Sequence, residues 1–358
     1  MLETQKTKFI EGCIKDKIPK TTAEKIFAFI EPFAGYGFNR SHATCYATIA
    51  YQTAYLKANY PVSFMAALLS SDQDDLDRIA IEVEEARKMG IEVLPPDINE
   101  SYKGFTVVGT KIRFGLLAIK NVGTGIVKAI TREREENGAF QSIEDFLTRV
   151  QTKDLNKRSL ESLIKSGAMD ELGERGQLLG NLPRLLEFAK KEQKDRENGQ
   201  KTLFDTPGQP NMLSLRLNQF PPAEYQQKLL WEKELLGLFI SEHPLTQYGS
   251  ILKKYVFFIN QLKNNTRAKI VGIITKTKKI ITAGRQLMYF VKIEDTSGNI
   301  EVIVFPKIYE QNPGLWQENK IVSVSGRVSD KDGVLKLIAE GAKEVTKDKL
   351  DKLLLKEK

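Results

Sequence analysis

Histidine and cysteine are scarce in this chain, which contains two of each among 358 residues. Cys13 and Cys45 lack the paired spacing of metal-binding motifs, and His42 and His243 are too few for a multi-histidine metal cluster. The sequence also has no apolar run of membrane-spanning length and no segment with the features of a signal peptide. These features predict a protein of a reducing, cytoplasmic compartment, without membrane association.

The net charge is moderately basic. The chain has 54 lysines and arginines against 46 acidic residues, a formal charge of +8 and a pI near 9.1. This balance favours a polyanionic partner over an acidic substrate, while much of the charge is typical of a solvated surface. The length predicts two or three domains, each with its own core.

Helical patterns dominate residues 20–90. A first helix is predicted to begin at a Thr21 or Thr22 cap and to end at Pro32. The next helix is rich in tyrosine at mixed helical spacings, which predicts burial on most of its circumference. The acidic run at residues 72–77 falls at a predicted helix start, where carboxylates are favourable; metal ligation by this run is the alternative.

The junction at residues 33–43 (FAGYGFNRSHA) combines two glycines, aromatics and a cation directly before a helix. Ser41 is predicted to cap a helix that starts at His42. The free N–H groups there, with Arg40 and the neighbouring Asn39, form a site suited to a triphosphate or a backbone phosphate. The alternative is a capped helix start with an aromatic staple and no ligand.

Short apolar strands at 91–94 and 105–114 precede the segment 117–130 (LAIKNVGTGIVKAI), which has the form of a helix-hairpin-helix motif. Gly123 and Gly125 are predicted to let the chain turn without a Cβ in the way. The N–H groups of the second helix then approach a DNA phosphate, while Lys120 and Lys128 supply charge. The alternative is a glycine turn between two packed helices.

Residues 154–167 form a second, weaker half of the same motif. Apolar residues there predict packing, and Lys157 and Arg158 either line duplex DNA or only make the helix soluble. Residues 175–196 are predicted to form one long helix, and residues 226–245 another that ends at Gly237 or at His243 and Pro244. His243 is assigned a structural role.

From residue 267 the apolar pattern changes to a period of two over five segments, with a helix predicted near 307–311 and a hairpin at 295–299. Five strands with this helix between the third and fourth predict an OB-fold barrel. Such barrels bind single strands by stacking bases on aromatics above a cationic groove. The cations of the first interstrand loop are candidates for this contact: Lys276, Lys278, Lys279 and Arg285. Tyr289 and Phe290 alternate, so at most one of them is exposed; a barrel that only packs or binds protein is the alternative.

Several motifs together resemble the bacterial DNA polymerase III alpha subunit, a replicative polymerase, in its carboxy-terminal portion. The junction at 33–43 is followed by YQTAYLK at 51–57, LPPDIN at 94–99, GLLAIKNVG at 115–123, SLESLIKSGA at 159–168 and LGLFISEHP at 236–244. The similarity covers nearly the whole chain in the order of the family. It implies a fold that is mostly α, with partial fingers and tandem helix-hairpin-helix, followed by the all-β OB-fold barrel.

The resemblance gives roles to several segments. The fingers close on the incoming nucleotide, so Arg40 is the expected triphosphate contact, with Asn39, Ser41 and His42 in the same pocket. The tandem module lies against primer-template duplex DNA, and the OB-fold contacts single-stranded template.

The family carries out nucleotidyl transfer with two metals held by palm aspartates that lie upstream of the fingers. No catalytic residue or cofactor is therefore expected in this chain, and Mg2+ is expected at the palm elsewhere. The chain is predicted to be inactive alone and to dock with the palm-containing portion of the polymerase. Met1 is expected to mark the edge of a fragment, a split subunit or an incomplete gene model.

Residues 200–204 (QKTLF) have the spacing of the pentapeptide by which bacterial polymerases bind the sliding clamp. Leu203 and Phe204 are the predicted anchors, and Gln200 fixes orientation by hydrogen bonds. The alternative is a linker that tethers to its own domain.

The domain plan follows from these segments: partial fingers at 1–90, helix-hairpin-helix module at 91–175, helix and clamp-binding linker at 176–210, helical connector at 211–262, OB-fold at 263–346 and basic tail at 347–358. The expected function is to grip DNA and tether it to the clamp during template-directed synthesis, in contact with other replisome subunits. A stand-alone adaptor between DNA and clamp, or the second half of a split polymerase, are the alternatives.

Overall fold

The structure, a computed structural model, describes residues 2–36, 40–197, 215–281, 286–331 and 333–355. The chain divides into two compact units, Met1–Met65 and Ala66–Lys358. No helix in the described ranges is long and apolar enough to cross a membrane.

Helices account for most of the described residues before the barrel. Their bounds are α1 Leu2–Lys15, α2 Lys20–Tyr36, α3 Arg40–Asn59, α4 Pro61–Ser71, α5 Leu76–Lys88, α6 Thr124–Asn137, α7 Ile143–Arg149, α8 Lys157–Lys165, α9 Arg175–Gly180, α10 Leu182–Glu197, α11 Tyr225–Leu236, α12 Gly249–Tyr255, α13 Pro306–Gln311 and α14 Lys347–Leu355. The strands are β1 Val93–Leu94, β2 Thr106–Val108, β3 Lys111–Arg113, β4 Arg267–Ile281, β5 Leu287–Asp295, β6 Gly298–Val304, β7 Ile321–Ser329 and β8 Lys336–Glu344.

In the first unit, α1 and α2 pack through the rings of Phe9 and Phe27, whose centroids are 5.7 Å apart. Lys6 Nζ lies 5.7 Å from the Phe27 ring and 3.6 Å from the Glu31 carboxylate. The prediction that α2 ends at Pro32 is wrong, since the helix continues to Tyr36. Pro32 lies near the end of the helix, where its missing N–H removes one backbone hydrogen bond and leaves little helix to disrupt.

The prediction that the tyrosine-rich helix is buried is also wrong. None of the described residues of α3 is buried, and Tyr46 and Tyr51 are 63% and 71% exposed. Burial requires an element to pack against, and within the described part of the first unit the main helix contact is that of α1 with α2. The helix also begins at Arg40, so Ser41 lies inside its first turn and is not the cap.

The second unit begins with helices and a small sheet. The predicted helix start in the acidic run is confirmed: Asp75 is the N-cap of α5 and accepts hydrogen bonds from the N–H groups of Asp77 and Arg78, both at 3.1 Å. The short strands form a sheet of order β1-β3-β2, in which β1 and β3 are parallel. Phe105 and Phe114 are buried together beside this sheet, with ring centroids 4.6 Å apart.

The long helix predicted for 175–196 is two helices, α9 and α10, separated at Asn181. Pro183 lies in the first turn of α10, a position that proline tolerates and where it cannot donate to the preceding helix. The Asn181 side chain is used elsewhere, because its amide donates to the Asn218 carbonyl and its oxygen accepts from the Asn218 N–H, both at 2.9 Å.

The five predicted strands of the OB-fold are confirmed as a closed barrel of order β4-β5-β6-β8-β7, with β6 and β8 parallel. The predicted helix is α13, and the predicted hairpin joins Asp295 to Gly298. Alternate residues of the strands fill the barrel with apolar side chains, which include Val291, Val302 and Leu337 at 0% exposure.

The barrel packs against the helices around it. Tyr248 and Leu252, from the segment that follows α11, share a buried cluster with Val271 of β4 and Leu350 of α14. The Tyr248 hydroxyl donates to Asp351 of α14 at 2.6 Å. The part of the basic tail that forms α14 is therefore anchored through Leu350.

Candidate nucleic-acid interface

The predicted helix-hairpin-helix motif is present, with a first helix of one 3-10 turn, Leu116–Ala118. The residue that turns the backbone is Asn121, at φ 68°, and neither Gly123 nor Gly125 has a positive φ. The sequence therefore placed the turn correctly but assigned its conformation to the wrong residues. Asparagine tolerates the left-handed region better than most residues that carry a Cβ.

The two glycines have different uses. Gly123 precedes α6 and is exposed, no side chain caps the helix there, and a Cβ at Gly123 would meet nothing within 4 Å. The first N–H groups of α6 are therefore open to an anion. At Gly125 a Cβ would lie 1.6 Å from Asp154 Oδ2, so any other residue there would displace the Asp154 carboxylate from its place against α6.

This contact brings the two halves of the module together. Asp154 lies two residues before Asn156, the N-cap of α8, and the Asn121 amide donates to Ser162 Oγ of α8 at 3.2 Å. The starts of α6 and α8 are therefore neighbours. At α8 the Asn156 side chain accepts from the N–H groups of Arg158 and Ser159, so these two donors are already satisfied.

The basic residues predicted for this module lie at its surface. Lys120, Lys128, Lys157 and Arg158 are all exposed. Two adjacent helix starts, one of them uncapped, and four exposed cations form a surface suited to sugar-phosphate backbone rather than to base edges. The carboxylate of Asp154, a residue with no predicted role, lies beside Gly125 at the start of α6 and opposes this charge.

A buried ion pair joins this module to α11. Arg175 and Glu232 are 5% and 1% exposed, and Arg175 Nη2 lies 3.2 Å from Glu232 Oε1. Arg175 also donates to both oxygens of Asp170, at 2.8 and 2.9 Å, and Glu232 accepts from the backbone N–H and the hydroxyl of Ser241. The Lys120 N–H adds a hydrogen bond of 3.0 Å to the Leu235 carbonyl of α11.

Polar contacts also join the helical part of the second unit to the barrel. Lys276 Nζ of β4 lies 2.6 Å from Asp77 of α5, and this hydrogen bond lowers the pKa of Asp77. The Asn299 amide donates to Glu84 of α5 at 2.6 Å. Burial raises the pKa of Glu294, a residue of β5 close to these contacts. The tandem module and the barrel therefore belong to one packed body.

On the barrel, the predicted loop cations Lys276, Lys278 and Lys279 lie in β4, because β4 extends to Ile281 and pairs with β5 along this whole stretch. The prediction that these lysines lie in a loop is therefore wrong. The alternating lysines and threonines belong to a strand of the hairpin and pair with β5. Arg285 lies outside the described residues. The expectation that at most one of the two aromatics is exposed is confirmed, since both are half-buried. Tyr289 packs on the core and stacks on Tyr309, with centroids 4.7 Å apart, and Phe290 points to the opposite side.

The other predicted site residues are only partly described. Arg40, Ser41 and His42 lie exposed in the first turn of α3, and the His42 ring lies 4.4 Å from that of Tyr46. Asn39 and the clamp-motif residues Gln200, Leu203 and Phe204 lie outside the described residues.

His243 has the structural surroundings that its sequence context predicted. Its Nδ1 accepts from the Leu245 N–H at 3.1 Å, and burial lowers its pKa to about 4. The described residues contain no group of three or more His, Cys, Asp or Glu side chains that could hold a metal ion.

Comparison with protein families agrees with both modules. Residues 90–178 match the helix-hairpin-helix motif family, and residues 268–345 match the family described as OB-fold nucleic acid binding domain. Among solved structures, a domain of replication protein A from Methanococcus maripaludis aligns with 25% of this chain at 17% identity and a TM-score of 0.23. The fold and the two family matches define a chain built from two nucleic-acid-binding modules.

The relatives of the chain are more specific. DNA polymerase III subunit alpha from Borreliella burgdorferi is 39% identical over 336 residues, which are 92% of this chain and 29% of the relative. The subunits from Thermus aquaticus and Escherichia coli K12 are 38% and 35% identical over 86% and 95% of this chain, and over 26% and 30% of their own lengths. The chain is therefore homologous to part of the DNA polymerase III alpha subunit and spans less than a third of the length of these relatives. Its modules fit the carboxy-terminal portion.

Proposed function

We propose that this chain is the DNA-gripping and clamp-tethering carboxy-terminal portion of a replicative DNA polymerase III alpha subunit. In this role it supports template-directed synthesis whose palm and Mg2+ are supplied elsewhere, and it works in the bacterial cytoplasm with other replisome subunits. The observation that carries the proposal is the pair of adjacent helix starts, α6 and α8, with exposed cations around an uncapped N-terminus. The relatives named above are DNA polymerases, and this surface suits the duplex that a polymerase must hold.

The grip is sequence-independent because its donors are backbone N–H groups and lysine or arginine side chains, which reach phosphates and not base edges. Each phosphate neutralised by such a cation releases bound counterions, so affinity falls with salt by a slope of about 0.9 per contact. A surface of four cations, Lys120, Lys128, Lys157 and Arg158, should therefore give a steep salt dependence.

The test is a salt titration of binding to primer-template DNA with the double variant Lys157→Glu and Arg158→Glu. We expect weaker binding and a log-log slope reduced by about 2, one for each lost contact. The control is Lys190→Glu with Lys191→Glu, an equal charge change at two exposed positions of α10. Equal loss in both variants would show that only net charge matters and would contradict the proposed surface.

The clamp tether rests on the pentapeptide at 200–204 and its place between the helical module and the barrel. We expect Leu203→Ala with Phe204→Ala to weaken binding to purified sliding clamp at least about tenfold, because adjacent apolar anchors carry most of the energy of such motifs. Lys201→Ala with Thr202→Ala changes the two variable positions of the same pentapeptide and should leave clamp binding within about threefold. If the two pairs have the same effect, residues 200–204 are not the tether.

Arg40, Ser41 and His42 remain the proposed nucleotide contacts, together with Asn39. Their exposure in the first turn of α3 supports a role for Arg40 against a triphosphate supplied at the palm. In a polymerase reconstituted with the palm-containing portion, Arg40→Ala should raise the KM for nucleotide more than Lys57→Ala, a change at the other end of the same helix. An unchanged KM would contradict this assignment.

A further inference from the structure

A groove of about 530 Å³ lies at the end of the barrel where β7 begins and β8 ends. One wall is the turn of Asn312, Pro313 and Gly314 that follows α13, and the other is formed by the last residues of β8 and the first turn of α14. Both walls are held from behind, because Leu315 and Leu350 are buried at 5% and 2% exposure. The groove is therefore a fixed concave feature, and its volume lies in the usual range of ligand sites, about 300–1,000 Å³.

Three lysines from different elements line this groove: Lys320 before β7, Lys343 in β8 and Lys349 in α14. Lys320 Nζ donates to the Gly314 carbonyl at 2.9 Å and lies 3.2 Å from Glu344, the one acid among the described lining residues. Lys343 and Lys349 are exposed, and neither has an ion-pair partner within the described part of the chain. The groove therefore has an excess of two positive charges, and both belong to side chains that a ligand can reach.

The lining residues favour a peptide over a nucleic acid. Among the described residues that line the groove none is aromatic, so a base would have no ring on which to stack. None of them is an arginine, the side chain whose planar fork recognises phosphate in a bidentate manner. The groove offers instead an apolar surface at Pro313 and Leu315, the polar side chain of Asn312 and two ammonium groups. These features match a short segment with an apolar side chain, a backbone that accepts hydrogen bonds and two carboxylates.

We propose that this groove binds an acidic peptide segment of a partner protein, with carboxylates at Lys343 and Lys349 and an apolar side chain against Pro313. The groove is built from elements other than the α6 and α8 surface, so the inference goes beyond the proposed DNA-gripping function and is tested separately from it. Charge pairs at exposed positions contribute little each, so the complex is weak, with a Kd between about 10 µM and 1 mM. Salt screens such pairs, so the affinity falls as the salt concentration rises.

The test uses the full chain and fluorescence anisotropy with a labelled peptide that has a central leucine between glutamates. Lys343→Glu with Lys349→Glu should weaken binding of this peptide at least about tenfold, because two attractions become repulsions. The matched control is Lys263→Glu with Lys331→Glu, the same charge change at exposed positions near the start of β4 and the end of β7, at the opposite end of the barrel. Its affinity should stay within about threefold of the parent, because charges beyond a Debye length are screened. Lys343→Arg with Lys349→Arg keeps both charges and should keep binding.

Two further probes decide what the groove recognises: the same peptide with lysine in place of glutamate, and a thymidine oligonucleotide. We expect no binding of the lysine peptide, and equal binding of the oligonucleotide to the groove variant and the control variant. The proposal is overturned if the parent chain does not bind the acidic peptide at about 1 mM, if the lysine peptide binds as well, or if both variants lose the acidic peptide equally. A loss confined to oligonucleotide binding by the groove variant would assign the groove to nucleic acid and would also overturn it. Unchanged thermal unfolding of each variant shows that the barrel is folded.

Discussion

The buried ion pair between Arg175 and Glu232 should be one of the most sensitive points of the second unit. It joins the helix-hairpin-helix module, which ends in α9, to the α11 connector that leads to the barrel. Arg175 makes contacts with Asp170, Glu232 and the Lys165 carbonyl, and every one of them is lost in Arg175→Met. Methionine is unbranched and has a similar volume, so the substitution removes the charge and the hydrogen bonds with little change in volume.

The expected cost follows from the burial of the partner. Glu232 is 1% exposed, and without Arg175 its carboxylate keeps, among the described residues, only the two donors of Ser241, the backbone N–H and the hydroxyl. Removing one member of a buried pair costs about 3–5 kcal/mol, because an uncompensated charge is left out of water. Arg175→Met with Glu232→Leu removes both charges, and should cost clearly less than the sum of the two single changes.

The assay is equilibrium unfolding in urea followed by tryptophan emission. The chain has two tryptophans: Trp231 lies in α11 beside Glu232, and Trp316 is buried in the barrel core. Trp316→Phe leaves a reporter at the connector, and Trp231→Phe leaves one in the barrel. Arg175→Met should lower the midpoint at the connector by an amount equivalent to about 3 kcal/mol or more.

The matched control is Arg184→Met, which changes the same side chain at an exposed position of the next helix and should cost less than about 0.5 kcal/mol. A cost below about 1 kcal/mol for Arg175→Met would refute the argument, since it would mean that Glu232 finds water or is protonated without penalty. Strict additivity in the double variant would refute the pairing itself.

Three further predictions concern charge and backbone. Burial and the adjacent Asp72 carboxyl raise the pKa of Glu82 to about 7, so its proton stabilises the fold at low pH, and this stabilisation is lost as pH rises from 4.5 through 7. Glu82→Gln should match the parent in urea unfolding at pH 4.5 and exceed it by about 1–2 kcal/mol at pH 8, after allowance for solvent screening; equal stabilities at pH 8 would contradict this. Gly237→Ala should lower the free energy of unfolding by about 1–3 kcal/mol, measured by thermal unfolding, because Gly237 has φ 83° and a Cβ there would lie 2.7 Å from the Leu76 carbonyl oxygen. An unchanged stability would contradict this, since it would mean that the backbone near Leu76 moves away without cost. Asp154→Asn should tighten duplex binding by about two- to fivefold, because it removes a like charge beside the phosphate site, and weaker binding in anisotropy would overturn that role.

Much of the architecture follows from local patterns. The period-two segments predict the strands of the barrel, and the glycine-containing turn at 119–123 predicts the hairpin, because both patterns are set by alternation and by turn chemistry. The end of α9 at Asn181 was not predicted, although Pro183 lies close to it. The helical periodicity of apolar residues on both sides of this point favours one continuous helix. The length of β4 was not predicted, because the end of this strand is rich in lysine and mostly exposed, and exposed polar segments are also typical of loops.

The tertiary contacts could not be predicted in this way. Asp154 meets Gly125, and Arg175 meets Glu232, only after α6, α8, α9 and α11 have packed; residues 57 positions apart carry no local signal of pairing. The meeting of Ile303 with Ile338 on the barrel likewise depends on strand order and register, since the parallel pairing of β6 with β8 places them opposite each other. The burial of α3 was predicted wrongly for the same reason. The spacing of its tyrosines predicts a helix, but it does not show which other element packs against that helix.

The most direct test of the central claim compares three DNA probes at one salt concentration: a blunt duplex, a single strand, and a duplex that continues into a single-stranded template. The helix-hairpin-helix module and the barrel lie in one packed body, so binding of one part of the junction makes binding of the other intramolecular. We predict that the junction binds at least about tenfold more tightly than the better of the two simple probes. A junction affinity equal to that of the better simple probe would contradict the claim that the two modules act on one DNA together.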